Sequence, residues 1–293
     1  MTVEFRSARS LEEALDWLEE IGVEAQVLAG GTDVMIQSMR HEIAPSFLLH
    51  IGRLDQLRGI ARNGALDIGP LSTHRMLATN HTVQTALPAL AEAAGSVGGW
   101  QTQEVGTVGG NLCNASPAAD TAPPLLVANA HLRLHSKSGA RELPLGEFLL
   151  GRRRTARRAD ELLTGITAEP CTPGTGEAYL KLGRRSAMEV AIVGVAVRLT
   201  LDGSNTVTEA RVATCSVAPR PFRASSAEDI LRGTKLEPAS IAEAGLMLVE
   251  EASPIDDGRA SAAYRRRVLP DLLARTIEIC RSRIADQRKD EAC

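Results

Sequence analysis

Two glycine pairs far apart in the chain, Gly30-Gly31 and Gly109-Gly110, constrain this sequence more than any other feature. Glycine has no Cβ, so a loop built on it can turn successive N–H groups toward an anion and let that anion come close. The first loop reads Leu28-Ala29-Gly30-Gly31-Thr32-Asp33-Val34-Met35, with the Thr32 hydroxyl as a further donor and a helical pattern behind it whose N-terminus favours anions. The second, Gly106-Thr107-Val108-Gly109-Gly110-Asn111, is expected to repeat that design with Thr107 and Asn111 as side-chain donors. Neither has the G-x-G-x-x-G spacing of a Rossmann fold or the G-x-x-x-x-G-K-[ST] spacing of a P-loop. One such loop is an ordinary tight turn. Two with hydroxyl residues point to a diphosphate.

The surrounding pattern gives the fold class. Ser10 and Glu13 form a capping box ahead of Leu11, Ala14, Leu15 and Leu18, which share a helix face until Gly22. Gln26–Ala29 is a short apolar run, so strand, tight loop and helix follow in order; Phe47–Ile51 is a second buried strand, and Asn63-Gly64 marks a two-residue hairpin. Helical patterns fill 73–94, and Glu169–Gly176 breaks the pattern with prolines and glycines, as a boundary would. Beyond it, EAYLKLG and VAIVGVAVRLTL are β-rich runs, joined through Asp202–Asn205 to VTEARVATCSVAP, and two or three helices finish the chain. The class is α+β: subdomains over 1–55 and 56–175, then an antiparallel sheet with C-terminal helices over 176–293.

Composition narrows function by exclusion. At 293 residues and 44% hydrophobic, the chain is large enough for two or three packed units. Thirty-three basic against thirty-six acidic residues give a net charge of −3, without the basic field a nucleic-acid binder needs. The first residues lack the apolar core of a signal peptide and no stretch is a membrane span, so the expected location is the cytoplasm. Cys113, Cys171, Cys215, Cys280 and Cys293 are scattered and odd in number, which predicts no disulfide framework, zinc site or iron–sulfur cluster in this chain. His131 and His135 fall on the alternating segment HLRLH and are expected on a solvated strand face.

The residues VLAGGTDVM and GTVGGNLCNASPAAD, with GRRRTARRADELLTGI and YLKLGRR followed by EVAIVGVAV, closely resemble the medium, FAD-binding subunit of the molybdenum hydroxylases, the family of xanthine dehydrogenase, carbon monoxide dehydrogenase and quinoline oxidoreductase. The resemblance covers nearly the whole chain. It implies a vanillyl-alcohol-oxidase (PCMH) type fold in which two subdomains clamp FAD, with no catalytic residue in this chain. It also implies partners: a small subunit with [2Fe-2S] clusters and a large subunit with the molybdopterin cofactor, in a dimer of heterotrimers. Electrons would reach FAD from the clusters and leave to NAD+, oxygen or a quinone. The competing reading is a self-sufficient small-molecule flavin oxidoreductase, which would need an acid or base near the flavin; none stands out.

By the same resemblance, Leu28 and Ala29 to Met35 would cradle the diphosphate, and Gly106, Thr107, Gly110 and Asn111 would grip the diphosphate and ribityl region from the opposite side, with Cys113 and Asn114 beside them. Asp120 would bond a flavin or ribityl hydroxyl; read without the family it is a helix N-cap. Leu163 would meet the isoalloxazine edge through its backbone, and Lys181 would stand near the ring as a positive charge or else be a surface lysine. Arg184 and Arg185 belong to the Lys181 motif without a choice between them. Cys113 is the one place for a covalent flavin link, although the family holds FAD noncovalently. The cluster Arg152–Arg158 is either a solvated face or a subunit contact. Gln101-Thr102-Gln103-Glu104 departs from the family's usual Gln-Ile-Arg-Asn and removes an arginine from the approach to the second loop.

Overall fold

The computed structural model of the chain describes residues 3–185 and 187–292. It opens on a strand that the sequence did not signal, β1 (Glu4–Ser7), followed by α1 (Leu11–Ile21), β2 (Ala25–Leu28), α2 (Val34–Met39) and β3 (Phe47–His50). The three strands form a parallel sheet in the order β1-β3-β2. Helix α1 begins where the Ser10 Oγ accepts the Glu13 N–H at 3.1 Å, a cap worth about 1 kcal/mol. The return half of the capping box differs from the motif: Glu13 accepts the N–H of Arg9 at 2.7 Å, one residue before the cap. Ala14, Leu15 and Leu18 of α1 pack with Phe47, Leu49 and Ile51 into a small core.

The middle unit begins with β4 (Ile60–Asn63) and β5 (Ala65–Ile68), whose pairing sets Asn63 opposite Ala65 and leaves Gly64 alone at the tip with φ 81°. Six helices follow: α3 (His74–Thr79), α4 (His81–Ala86), α5 (Pro88–Ser96), α6 (Trp100–Val105), α7 (Val108–Asn114) and α8 (Ala122–Val127). Then come β6 (His131–Ser136), β7 (Gly139–Pro144), α9 (Leu145–Phe148), β8 (Leu149–Gly151), β9 (Arg154–Thr155) and β10 (Leu162–Ala168). The antiparallel sheet runs β4-β5-β10-β6-β7. In β6, Leu132 and Leu134 are fully buried while His131 is exposed, which is the alternation the segment predicted.

The last unit is antiparallel, β11 (Thr175–Leu182), β12 (Val193–Leu201), β13 (Val207–Cys215) and the short β14 (Phe222–Arg223), covered by α10 (Ser225–Leu231), α11 (Pro238–Glu251) and α12 (Ala262–Ala292). It is fastened to the middle unit. Tyr179, Ala196 and Ala213 sit in the core of the middle helices, and Glu92 of α5 accepts the Tyr179 N–H at 2.8 Å and pairs with Arg283 of α12. Among the described residues no helix is long and apolar enough to cross a membrane.

Candidate cofactor site

The first glycine loop connects β2 to α2 and forms one end of a cavity of about 710 Å³. Ala29, Gly30, Gly31, Thr32, Asp33 and Val34 line it. The N–H groups of Gly30 through Val34 donate to no protein acceptor among the described residues; the first N–H of the segment used by the chain is that of Met35, to the Gly31 carbonyl at 3.1 Å. A run of unengaged donors along one wall is an anion nest made by backbone alone. Gly31 has φ 73°, a left-handed conformation suited to glycine. Helix α2 is only six residues long, so the nest rather than a helix dipole carries the attraction. Leu28 and Met35 are absent from the cavity wall and pack behind Gly31.

The second loop does not repeat the first. All but one of its N–H groups are used within the protein: Gly106 to Thr102 O, Val108 to Ser72 O, Gly109 to Pro70 O, Gly110 to Thr107 Oγ1 and Asn111 to Thr107 O, while that of Thr107 has no acceptor among the described residues. Its glycines serve packing. A Cβ on Gly109 would lie 2.6 Å from Pro70 Cβ, and one on Gly106 would lie 2.7 Å from Thr102 O. Gly106 is buried behind the wall, whereas Gly110 lines the cavity and presents bare backbone to it. What this loop offers a ligand is side chains. Thr107, Asn111, Cys113 and Asn114 all line the cavity. Asn111 Oδ1 accepts the Thr121 hydroxyl at 2.7 Å and Asn114 Oδ1 accepts the Gln37 amide at 2.9 Å, which leaves the amide N–H groups of both asparagines for a guest. The loops also touch: a Cβ on Gly30 would lie 1.8 Å from the Val105 carbonyl oxygen.

Asp120 is not an N-cap; that position of α8 belongs to Thr121. Its Oδ1 accepts the Tyr179 hydroxyl at 2.6 Å and its Oδ2 accepts the Lys181 ammonium at 2.8 Å. Desolvation raises the Asp120 carboxyl, opposed by the Lys181 charge and both hydrogen bonds. Lys181 is no surface lysine. Its side chain is 12% exposed and also donates to Ser96 O at 2.9 Å. Lys181 lines a second, smaller cavity of about 240 Å³, with Tyr179 and Arg185, so the ion pair stands as a wall between two chambers. Arg184 and Arg185 both turn to Glu189, at 3.3 and 3.6 Å, and Glu189 borders both chambers. Leu163, buried on β10, lines the large cavity.

Several lining residues were not singled out from sequence. Arg153 and Arg157 line the cavity, which adds to the reading of their cluster as a solvated or subunit face: Arg153, at the β8–β9 turn, stays exposed and pairs with Glu42 at 2.7 Å. Arg157 is pinned by the carbonyl oxygens of Arg158 and Glu161. Burial raises the Asp33 carboxyl, partly offset by Arg153, and burial raises the Cys113 thiol, which disfavours the nucleophilic thiolate. The segment lacking the family arginine is held by Gln103, whose amide donates to Gly95 O and Val97 O and fixes the turn that brings Val97, Gly98 and Gly99 to the cavity. His74 lines it too, deeply buried at the start of α3.

Residues 1–168 match the family described as FAD binding domain in molybdopterin dehydrogenase, and residues 177–279 match the CO dehydrogenase flavoprotein C-terminal domain. This chain belongs to that family. It is an FAD-binding oxidoreductase subunit, the medium subunit of a molybdenum hydroxylase. The xanthine dehydrogenase FAD-binding subunit of Escherichia coli O157:H7 is 33% identical to it over 276 residues, 93% of this chain and 94% of that one. The carbon monoxide dehydrogenase medium chain of Hydrogenophaga pseudoflava is 30% identical, over 96% of this chain and 98% of its own. The solved carbon monoxide dehydrogenase of Hydrogenophaga pseudoflava superposes with a TM-score of 0.93 at 29% identity, covering 97% of this chain and 98% of that one. Quinoline 2-oxidoreductase from Pseudomonas putida 86, at 24% identity and a TM-score of 0.90 over 97% of this chain and 98% of that one, shares the fold.

Proposed function

We propose that the subunit is the exit of an electron relay. Electrons from [2Fe-2S] clusters in a small partner subunit, released at a molybdenum centre in a large one, reach FAD here and leave to NAD+, oxygen or a quinone. The observation that carries this reading is the asymmetric cavity: an unengaged backbone nest over Gly30–Val34 at one wall, and the sealed Asp120–Lys181 pair at another. The nest suits a diphosphate, and the Thr107 hydroxyl and the Asn111 and Asn114 amides suit sugar and ribityl hydroxyls. Leu163 presents strand backbone to the isoalloxazine edge. A bound flavin accepts electrons singly and releases them in pairs, which is the chemistry a relay needs.

The chain's own residues bind, orient and exclude water. Asp120 and Lys181 neutralise one another, so their wall presents fixed dipoles rather than a net charge. Among the described residues no three His, Cys, Asp or Glu side chains converge as metal ligands. The relay reading assigns the clusters to other chains, in a dimer of heterotrimers.

Pull-down of a tagged copy under native conditions, followed by metal analysis, tests the reading. Iron and molybdenum should co-elute with one acid-releasable FAD per chain. A monomer holding FAD, free of both metals and turning over substrate fully, would refute the relay.

A further inference from the structure

His74 is a binding residue that neither loop motif contains. The imidazole is 2% exposed and lines the large cavity. Its Nδ1 is sealed in the protein without a partner. Its Nε2 has no partner among the described residues either, yet keeps access to the cavity. Nδ1 is left unpaired in either neutral tautomer, and the tautomer with the proton on Nε2 is the one that offers the cavity a donor. Burial pushes the imidazole pKa down to about 4, so the ring is neutral near pH 7.

The position of the ring says what it faces. A Cβ on Gly106 would lie 3.1 Å from His74 Cδ2 and 3.4 Å from Thr32 Oγ1. The ring and the Thr32 side chain thus flank the same residue, Gly106, and both line the large cavity. The backbone holds the ring there: the His74 N–H donates to Gly106 O at 3.0 Å, and Thr73 caps the helix by accepting the Met76 N–H at 3.2 Å. Gly106 itself must be small for His74 and Thr32 to close over it.

We infer that the neutral His74 donates its Nε2–H to a phosphate oxygen of the dinucleotide, completing with a side chain the nest that Gly30–Val34 make from backbone. This rests on the FAD reading of the cavity. It adds a phosphate donor to the second-loop side of the pocket, where every backbone N–H of the loop except that of Thr107 is used internally. A neutral donor suits a pocket already bordered by Arg153 and Arg157, since it adds direction without further charge.

The test uses the full chain, stripped of flavin and titrated with FAD, ADP and riboflavin. Gln places its amide nitrogen where imidazole has Nε2, Asn places its own where imidazole has Nδ1, and Leu supplies no donor. His74→Leu and His74→Asn should weaken FAD and ADP together by about tenfold or more, while riboflavin binding stays unchanged and His74→Gln remains within about threefold of the parent. Apo His74→Leu should melt no lower than the parent, because it removes the sealed Nδ1; a purely structural histidine would show the opposite. Equal FAD affinity in all variants overturns the inference, as does loss of riboflavin binding in step with ADP. Should His74→Leu fail to fold, the contrast of Gln with Asn decides the matter. A parent chain that binds no FAD overturns the reading beneath it as well.

Discussion

The two glycine loops look alike in sequence and do opposite work in the fold. At Gly30–Val34 the N–H groups have no acceptor among the described residues; at Gly106–Asn111 all but that of Thr107 are consumed by the carbonyls of Pro70, Ser72, Thr102 and Thr107 and by the Thr107 hydroxyl. One loop leaves its backbone donors open, the other is a packed corner that displays side chains. A glycine pair therefore reports that two segments come close, not which of them offers its donors.

The largest effect should follow Gly30→Ala. The new Cβ would fall 1.8 Å from the Val105 carbonyl oxygen, so the loops must part. FAD should no longer co-purify, and the melting temperature should drop, with strain of about 3 kcal/mol. Normal flavin content would break the picture of loops that touch.

Acid should come next. The His74 pKa lies at about 4 in the fold against 6.5 for the free side chain. Between those values the unfolded chain takes up a proton that the folded chain refuses. Stability is thus complete above pH 6.5 and declines toward pH 4, by up to about 3 kcal/mol. Urea unfolding at pH 7 and pH 4.5 should show this decline in the apo parent and a smaller one in His74→Gln; identical declines would return His74 to an ordinary solvated histidine.

A finer contrast lies within the second loop. Gly109→Ala meets Pro70 and should lose about 1–3 kcal/mol, whereas Gly110→Ala meets only Thr107 Oγ1 at 3.0 Å. The first should mainly lower stability and the second mainly lower FAD affinity, by thermal melts and flavin titration. The same ranking in both assays would erase the distinction between corner and wall.

The smallest shift belongs to Lys181→Met. With Lys181 gone, Asp120 loses the charge that holds its proton off, so protonation keeps the wall near neutrality. Spectroelectrochemistry should find the flavin potential lowered by no more than about 30 mV, with diphosphate affinity intact. A much larger fall would mean that Lys181 acts on the ring as an isolated charge.

What the sequence made legible was local. The strand–loop–helix around Gly30, the Ser10 cap and the alternation of β6 each depend on residues within a few positions. What it hid was long-range. Nothing in GTVGGN says that Pro70 and Ser72 will take its N–H groups, and nothing near Asp120 says that its partners will be Tyr179 and Lys181 rather than a helix end. Arg153 and Arg157 lie in a charge run of the kind that usually faces water; Arg153 does stay exposed, and only the fold shows that both also border the cavity. Strand β1 escaped notice because Glu4 and Phe5 are exposed and the segment shows no alternation. His74 follows a legible cap, Thr73, but no pattern in the sequence marks one sealed ring nitrogen.

The Asp120–Lys181 wall also sets an order of events during synthesis. Asp120 leaves the ribosome first, and its ammonium partner arrives only sixty-one residues later. Ala196 and Ala213, which fill the same core as the pocket helices, come later still. The nascent pocket stays unfinished, with a carboxylate hydrated rather than paired, until β13 has been made. Cofactor loading is therefore expected late in biogenesis, tied to the arrival of the C-terminal sheet rather than to completion of the first glycine loop.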